Sequence, residues 1–364
     1  MKYGQKKRSV PLILFSILMI VTALLCVTAF GLWLYGRQNL APTVVAPQLP
    51  PAPMQTASDD QAEPQEQTPV METPDQYTVI YNGKQFTYNE DMVNIVLMGI
   101  DADNKPSAPL PYGSDIQADV ILLAALDLKN NDMTLISINR DTMANIEIRD
   151  ASGASLGVAR SQLALSYAYG DGLEESCRMT CEAVSNLFYG LQIHGYGTYY
   201  MGGVSDLNDA LGGVTVTILE DYPFTEMGGI YSAMTPGTTM TLNGQQAVKY
   251  IRCRLYDETG NALRMVRQKQ YMLSMLSQAL SQVKQNPRLV FTLFHALEAH
   301  LLTDLDIFEI SYLVTQASNM QFSGEVLNLK GELTYGAESH MELVLDELAL
   351  YETILNVFYE EVAP

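Results

Sequence analysis

Apolar residues fall in short continuous runs through the middle of the chain and at helical spacing towards its end. Residues 94–100 (NIVLMGI), 120–126 (VILLAAL) and 133–138 (MTLISI) are apolar stretches bounded by polar turns. That is the pattern of strands buried on both faces. Ahead of them, YTVIYNGKQFTYN reads as a hairpin turned at Asn82-Gly83, because a tight two-residue turn needs residues that tolerate positive φ. Alternating β-branched residues predict a strand over 214–219, and another lies near 325–329. Helical spacing covers 161–169, 174–189, 206–211, 262–283, 288–301, 306–316 and 341–359, with Gly212-Gly213 stopping the third. Strands mixed with covering helices predict an α/β domain around one central sheet.

A different pattern opens the chain. Residues 10–35 are uncharged and mostly apolar, a run of 26 residues that can cross a bilayer as a tilted helix. Lys2, Lys6, Lys7 and Arg8 precede it, so the positive-inside rule places residues 1–9 in the cytoplasm. The run is long for a signal-peptide core, and no clear small-x-small cleavage site follows it. It reads as a single-pass anchor in the cell membrane. Residues 36–76 hold eight of the sixteen prolines among Gln, Ala, Thr and acids, the composition of an extracellular spacer. The folded extracellular domain is expected over 77–364.

Charge adds a candidate site. All 41 acidic residues lie beyond position 40, where only sixteen Lys and Arg oppose them. Such an acidic domain does not suit nucleic acid. Six of the sixteen cations gather between Lys249 and Lys269, in KYIRCRLYDETGNALRMVRQK. Arg252 and Arg254 are two apart, which in an extended segment aims both at one face. Arg264, Arg267 and Gln268 stand at i, i+3 and i+4, one face of a helix. Four of the six cations are Arg, the residue suited to bidentate capture of phosphate; the bland alternative is a salt-bridged helix face.

Carboxylates are expected opposite them. The short link DLKNND makes 120–126 and 133–138 an antiparallel hairpin, so Asp119 falls beside Arg140 and Asp141. If 94–100 runs parallel to 133–138, Asp101 joins the same edge, where open α/β sheets often bind ligands. Turn and cap roles are the ordinary alternative for such aspartates. Arginines facing carboxylates suit a pyrophosphate held with Mg²⁺, the arginines taking phosphate oxygens and the aspartates the hard cation. Cys177, Cys181 and Cys253 follow the span, and the four His residues show no metal spacing. Small core residues are the expectation for these cysteines, with a disulfide left to geometry.

In order and spacing, NIVLMGIDA, ADVILLAAL, TLISINRDT, LSYAYGDG, DALGGVTV, LNGQQAVKYIRCR and LRMVRQKQ resemble the LytR-CpsA-Psr cell-wall ligases. The likeness runs over about residues 93–283, with a weaker echo in LLTDLDIFEI. It implies an α-β-α fold around a mixed sheet, with a narrow apolar tunnel for a lipid tail. It also implies a phosphotransferase that moves an anionic glycan, such as teichoic acid or capsule, from a polyprenyl-pyrophosphate carrier to peptidoglycan. By position, Asp101 and Asp119 match the family's metal-associated aspartates, which implies Mg²⁺. Arg140 matches the Arg of its S-I-P-R-D motif, Arg252 and Arg254 its paired arginines, and Arg264 and Gln268 its R-x-x-R-Q helix. With Arg267, these are the expected pyrophosphate contacts; Arg140, Asp141, Arg252 and Arg254 are the expected catalytic set. Asp141 is a candidate proton acceptor by proximity.

Three positions depart from the family pattern. Asn139 stands for the usual Pro, Gln162 for a common Lys (with Arg160 nearby), and Asn261 for an acidic residue. They keep two other readings open: a protein that binds or senses polyprenyl pyrophosphate without turnover, and a lipid pyrophosphatase using water.

Overall fold

The three apolar runs become the middle of a sheet, and the reason is their alternation between two buried faces. The computed structural model describes residues 34–40, 44–51, 77–219, 229–253, 260–336 and 340–362. Strands β1 (Thr78–Tyr81) and β2 (Lys84–Tyr88) form the expected hairpin, turned by Asn82 and Gly83 at φ 51° and 76°. Then come β3 (Met92–Ile100), β4 (Ala118–Asp127) and β5 (Asp132–Ile138). A second hairpin, β6 (Met143–Arg149) and β7 (Ser155–Gln162), leads to β8 (Gly195–Tyr200). Strands β9 (Val214–Thr217) and β10 (Thr239–Leu242) pair with each other. Later come β11 (Leu301–Thr303), β12 (Val326–Asn328), the hairpin β13 (Gly331–Tyr335) and β14 (Met341–Leu345), and β15 (Tyr359–Glu361).

The central sheet has the order β11-β8-β3-β4-β5-β12. Strand β3 is parallel to β8 and β5 to β12, while the other pairings are antiparallel, so the sheet is mixed. Along β3, Met92, Val96, Met98 and Ile100 face one core, with Val184 of helix Glu174–Leu187 and Ile354 and Phe358 of helix Glu347–Phe358. Val93 and Ile95 face the other, with Tyr312, Leu313 and Ala317 of helix Ile307–Asn319 and Met272 and Leu276 of helix Gly260–Gln285. Helices thus cover both faces. Each fully buried Leu, Ile or Phe contributes roughly 1.5–3 kcal/mol.

Three expectations change. Residues 161–169 do not form one helix: Ser161 and Gln162 complete β7, with Gln162 paired to Met143, and only Leu165–Ala168 is helical. Residues 341–359 divide at Asp346, whose side chain accepts the Ala349 N–H at 3.0 Å and starts a helix after β14. The helix expected over 288–301 ends at Leu297, and Leu301 enters β11. Residues 44–51, inside the expected spacer, lie on the domain: the Gln48 N–H donates to the Tyr189 carbonyl at 2.7 Å, and Tyr359 to the Pro47 carbonyl. Residues 10–33 of the expected span and 41–43 and 52–76 of the spacer lie outside the described residues. Among the described residues no helix is long and apolar enough to cross a membrane. Cys177 and Cys181 are free thiols, Cys177 and Cys253 are buried, and burial pushes Cys177 up to about 12.

Candidate active site

Strands β3 and β5 both run antiparallel to β4, so they run the same way and end at one edge, where β4 begins. Asp101 leaves β3 there, Asp119 opens β4, and Arg140 and Asp141 follow β5. The side chains meet. The Arg140 guanidinium pairs with Asp119, donates to Gln117 and lies 3.7 Å from Asp141. Asp101, Asp115, Gln117, Asp119 and Arg140 line one cavity of about 330 Å³. The edge read from the hairpin geometry is therefore formed, and both aspartates reach it.

Arg252 arrives from the other side. Helix Gly244–Arg252 starts with a capping box between Asn243 and Gln246 and ends at Arg252, with Cys253 extended. Arg252 Nη2 reaches Asp103 at 2.9 Å and Asp101 at 3.5 Å. Asp103 is absent from the sequence expectation; the signal was the D-A-D spacing, two carboxylates leaving one strand end. Arg252 closes a helix rather than lying in an extended segment, and Arg254 lies outside the described residues.

Helix Gly260–Gln285 explains how Arg252 is held. Arg264, Arg267 and Gln268 do lie on one helix, with Arg267 fully buried between the half-buried Arg264 and Gln268. The Arg267 guanidinium donates to the Tyr250 carbonyl at 2.8 Å and to the Cys253 carbonyl, and sits over the Tyr250 ring. Gln268 Nε2 takes the Ile251 carbonyl at 3.1 Å. Together they satisfy carbonyls that a helix end leaves without intrahelical partners. Arg267 and Gln268 thus support the arginine-bearing turn, while Arg264 is half-buried.

Asp141 is the most enclosed carboxylate of the edge. Burial pushes its carboxyl above the usual range, and Arg140 opposes that shift. Gln162 Nε2 donates to Asp141 Oδ1 at 3.0 Å and to the Met341 carbonyl at 2.7 Å.

An apolar floor runs inward from this edge. Leu97 and Val120 sit on the sheet face that the helices cover elsewhere, yet they remain 38% and 39% exposed. Between them Gly99 pairs with Val120, and Gly197 pairs with Leu97 on β8. A Cβ on Gly99 would stand 3.0 Å from Val120 Cβ, and one on Gly197 3.3 Å from a Leu97 methyl. Glycine keeps this floor low.

Among the described residues no three His, Cys, Asp or Glu side chains gather as a metal cage. Asp101 and Asp119 nevertheless line one cavity, and two carboxylates completed by phosphate oxygens form a donor set that suits Mg²⁺.

The model of the LytR_cpsA_psr family matches residues 54–350. The chain belongs to the LytR-CpsA-Psr family. Among its relatives is the polyisoprenyl-teichoic acid–peptidoglycan teichoic acid transferase TagU of Oceanobacillus iheyensis, 26% identical over 250 residues, which span 68% of this chain and 69% of that one. Biofilm regulatory protein A of Streptococcus mutans is 27% identical over 202 residues, 55% of this chain and 47% of its own, so the match spans about half of that relative. The crystal structure of TagV from Bacillus subtilis superposes with a TM-score of 0.53 at 23% identity, over 73% of this chain and 95% of that one, a likeness of fold. Two departures from the LytR-CpsA-Psr pattern fall at one place. Asn139 and Gln162 both bond to Asp141, the first through the Asp141 N–H at 2.9 Å.

Proposed function

We propose that this protein is a phosphotransferase that attaches an anionic glycopolymer, carried on polyprenyl pyrophosphate, to peptidoglycan. The observation that carries this reading is the meeting of paired guanidinium and carboxylate groups with an apolar floor at one sheet edge. A polyprenyl pyrophosphate has the matching halves, a dianionic headgroup and a long apolar tail. The TagU relative, whose name states this chemistry for teichoic acid, supports the same assignment.

Arg140 and Arg252 take the phosphate oxygens, Arg254 and Arg264 are further phosphate contacts by their positions in the family motifs, and Leu97 and Val120 receive the first part of the tail. Asp101 and Asp119 would hold Mg²⁺, and the bound ion would supply positive charge for the leaving phosphate. The arginines do the same from fixed positions, so they need no reorganisation during the reaction. Arg267 and Gln268 contribute by holding the chain that carries Arg252. Residues 10–35 anchor the protein in the cell membrane with residues 1–9 in the cytoplasm. Residues 36–76 then lead to an extracellular domain, on the side where peptidoglycan lies.

A second reading is binding or sensing of the carrier lipid without turnover. Asn261, which puts an amide where the family usually has an acid, favours it. Incubating the full-length protein with lipid-linked glycan, peptidoglycan oligomer and Mg²⁺ separates the readings. Glycan joined to peptidoglycan is the expected product. Unchanged lipid supports the sensor, and lipid cleaved without joining supports a pyrophosphatase.

A further inference from the structure

Asp141 is held by more partners than a turn requires. Its N–H donates to Asn139 Oδ1 at 2.9 Å, and its carbonyl accepts the Leu343 N–H at 2.8 Å. Its Oδ1 accepts Gln162 Nε2 at 3.0 Å and lies 3.7 Å from Arg140. The orientation of both amides follows from chemistry. Gln162 faces a carboxylate and a carbonyl, both acceptors, so its NH₂ group must point there and its two hydrogens match two acceptors. Asn139 faces an N–H, so its oxygen must.

These contacts bring three segments of chain to one carboxylate: the turn after β5, the end of β7 and the start of β14. The charged groups of those elements and of the neighbouring β4 are Arg140, Asp119, Arg160, Glu342 and, at the far end of β4, Asp127. Among them Arg140 alone comes within ion-pair distance of Asp141. Oδ1 is engaged, while Oδ2 has no hydrogen bond among the described residues. The side chain is 22% exposed, so it is shielded yet reachable from the cavity edge.

We propose that Asn139 and Gln162 are positioning residues that fix Asp141 as the group accepting the proton of the incoming hydroxyl. This rests on the transferase reading above and names its proton acceptor. The hydroxyl oxygen bonds to the sugar-linked phosphorus as the bond from that phosphorus to the bridging oxygen breaks. The electron pair leaves on polyprenyl phosphate, and the hydroxyl proton passes to Asp141 Oδ2. Gln162 keeps Oδ1 aimed away from the acceptor so that Oδ2 faces it. Burial, which raises the carboxyl, makes it a better base than an exposed aspartate. A lysine at 162 would instead place a cation on the carboxylate and weaken it as a base.

Two measurements on the full-length protein test this. The first is transfer of a synthetic prenyl-pyrophosphate-linked disaccharide to peptidoglycan oligomer, followed against pH. Asp141→Asn should lower kcat by about 10²–10⁴-fold, the usual contribution of a general base, with prenyl-pyrophosphate affinity held and the fold no less stable than wild type. Gln162→Lys should move the acid limb of the rate profile to lower pH, because a neighbouring cation favours the carboxylate. Gln162→Met should move it to higher pH, because the carboxylate loses a donor, and Gln162→Asn should restore part of the shift. The second is direct NMR titration of Asp141, assigned by its loss in Asp141→Asn, which should give the same order without turnover. Transfer that survives Asp141→Asn overturns the proton role while leaving the transferase reading intact. Slower variants with an unmoved limb and an unmoved titration overturn the positioning role of Gln162. A wild type that binds the lipid and transfers nothing overturns the transferase reading, and the proton role falls with it.

Discussion

The central sheet carries a charged cluster at each end, and the two are built differently. Where β4 turns into β5, Asp127 accepts the N–H groups of Lys129 and Asn130 at 3.0 and 2.8 Å and the Asn130 side-chain amide at 2.7 Å. Lys129 pairs with Glu360 at 2.6 Å, tying the turn to β15. A cavity of about 160 Å³ lies there, lined by Asp127, Asn130, Asp132 and Glu360. Asp127 serves the turn it sits in, and the partly exposed Lys129–Glu360 pair, 231 residues apart in the chain, fastens that turn to β15. At the other end, Asp101 and Asp103 share one Arg252 nitrogen, and Asp119, Asp141 and Gln117 crowd Arg140. None of these carboxylates completes its own turn by the ion pair. The partners are brought together from segments up to 151 residues apart. Partly exposed pairs of this kind add little stability, so stability does not explain their convergence. A carboxylate in a cavity, or a single long-range ion pair such as Lys129–Glu360, is therefore weak evidence of a site; several carboxylates and arginines from separate segments converging on one edge are stronger.

The largest effect that sharpens this contrast is expected at the aspartates. Asp101→Asn and Asp119→Asn should abolish Mg²⁺-dependent transfer while the thermal unfolding curve is retained. Full transfer in both variants would place the chemistry elsewhere. At the far end, Asp127→Asn should leave transfer unchanged and cost a fraction of a kcal/mol to about 1 kcal/mol through the weakened turn, read by denaturant titration.

Next in size is the support beneath Arg252. Arg267→Ala strips two buried carbonyls of a charged donor and should cost roughly 2–4 kcal/mol, seen as a lower denaturation midpoint. Arg267→Lys should recover only part of this, since an ammonium cannot span both carbonyls as the fork does. If Arg267→Ala unfolds like wild type and loses only lipid binding, its role is contact with the ligand rather than support.

Acid distinguishes the two ends in a similar range. At the start of β3, His194 Nδ1 accepts the Asn94 N–H at 3.0 Å, which requires the neutral ring, and burial depresses His194 to about 4. A histidine held neutral by folding contributes stability that is present above its unfolded value of 6.5 and is lost as pH falls towards 4. The loss is about 3 kcal/mol over that window. His194→Gln should flatten that part of the stability profile, measured by urea titration from pH 7 to 4. Asp141 has the opposite sense, because burial raises it: its charged form costs stability at neutral pH, and the cost fades as pH falls through its raised value. Asp141→Asn should therefore stabilise the fold slightly at pH 7 and not at pH 3.

Much of the site edge was legible in the sequence because it follows from strand direction alone. Three apolar runs and one short polar link sufficed to bring Asp101, Asp119, Arg140 and Asp141 together. What was missed depended on contacts far apart in the chain. Gly195–Tyr200 reads as GYGTYY, without alternation, and becomes β8 because it lies between β3 and β11. Ser161 and Gln162 look helical beside Leu163 and Ala164, but pairing with β6 keeps them extended. The Asp346 cap splits the last helical pattern, a cue present in the sequence and outweighed by the apolar spacing around it. Arg267 had the spacing of a ligand contact and is instead buried, because three backbone carbonyls at the end of helix Gly244–Arg252 need donors.

The central claim is that Arg252 belongs to a built pyrophosphate site rather than to a diffuse basic patch. Calorimetric binding of a short prenyl pyrophosphate with Mg²⁺ tests it most directly, at two salt concentrations. Arg252→Ala should weaken binding by about 10–150-fold, the equivalent of one charge-assisted hydrogen bond of 1.5–3 kcal/mol, and Arg252→Lys should recover only part. Lys249→Ala and Lys269→Ala, in the same stretch, should bind within about twofold of wild type, as surface charges outside the site would. Equal losses from all three alanine variants, erased by added salt, would contradict the account.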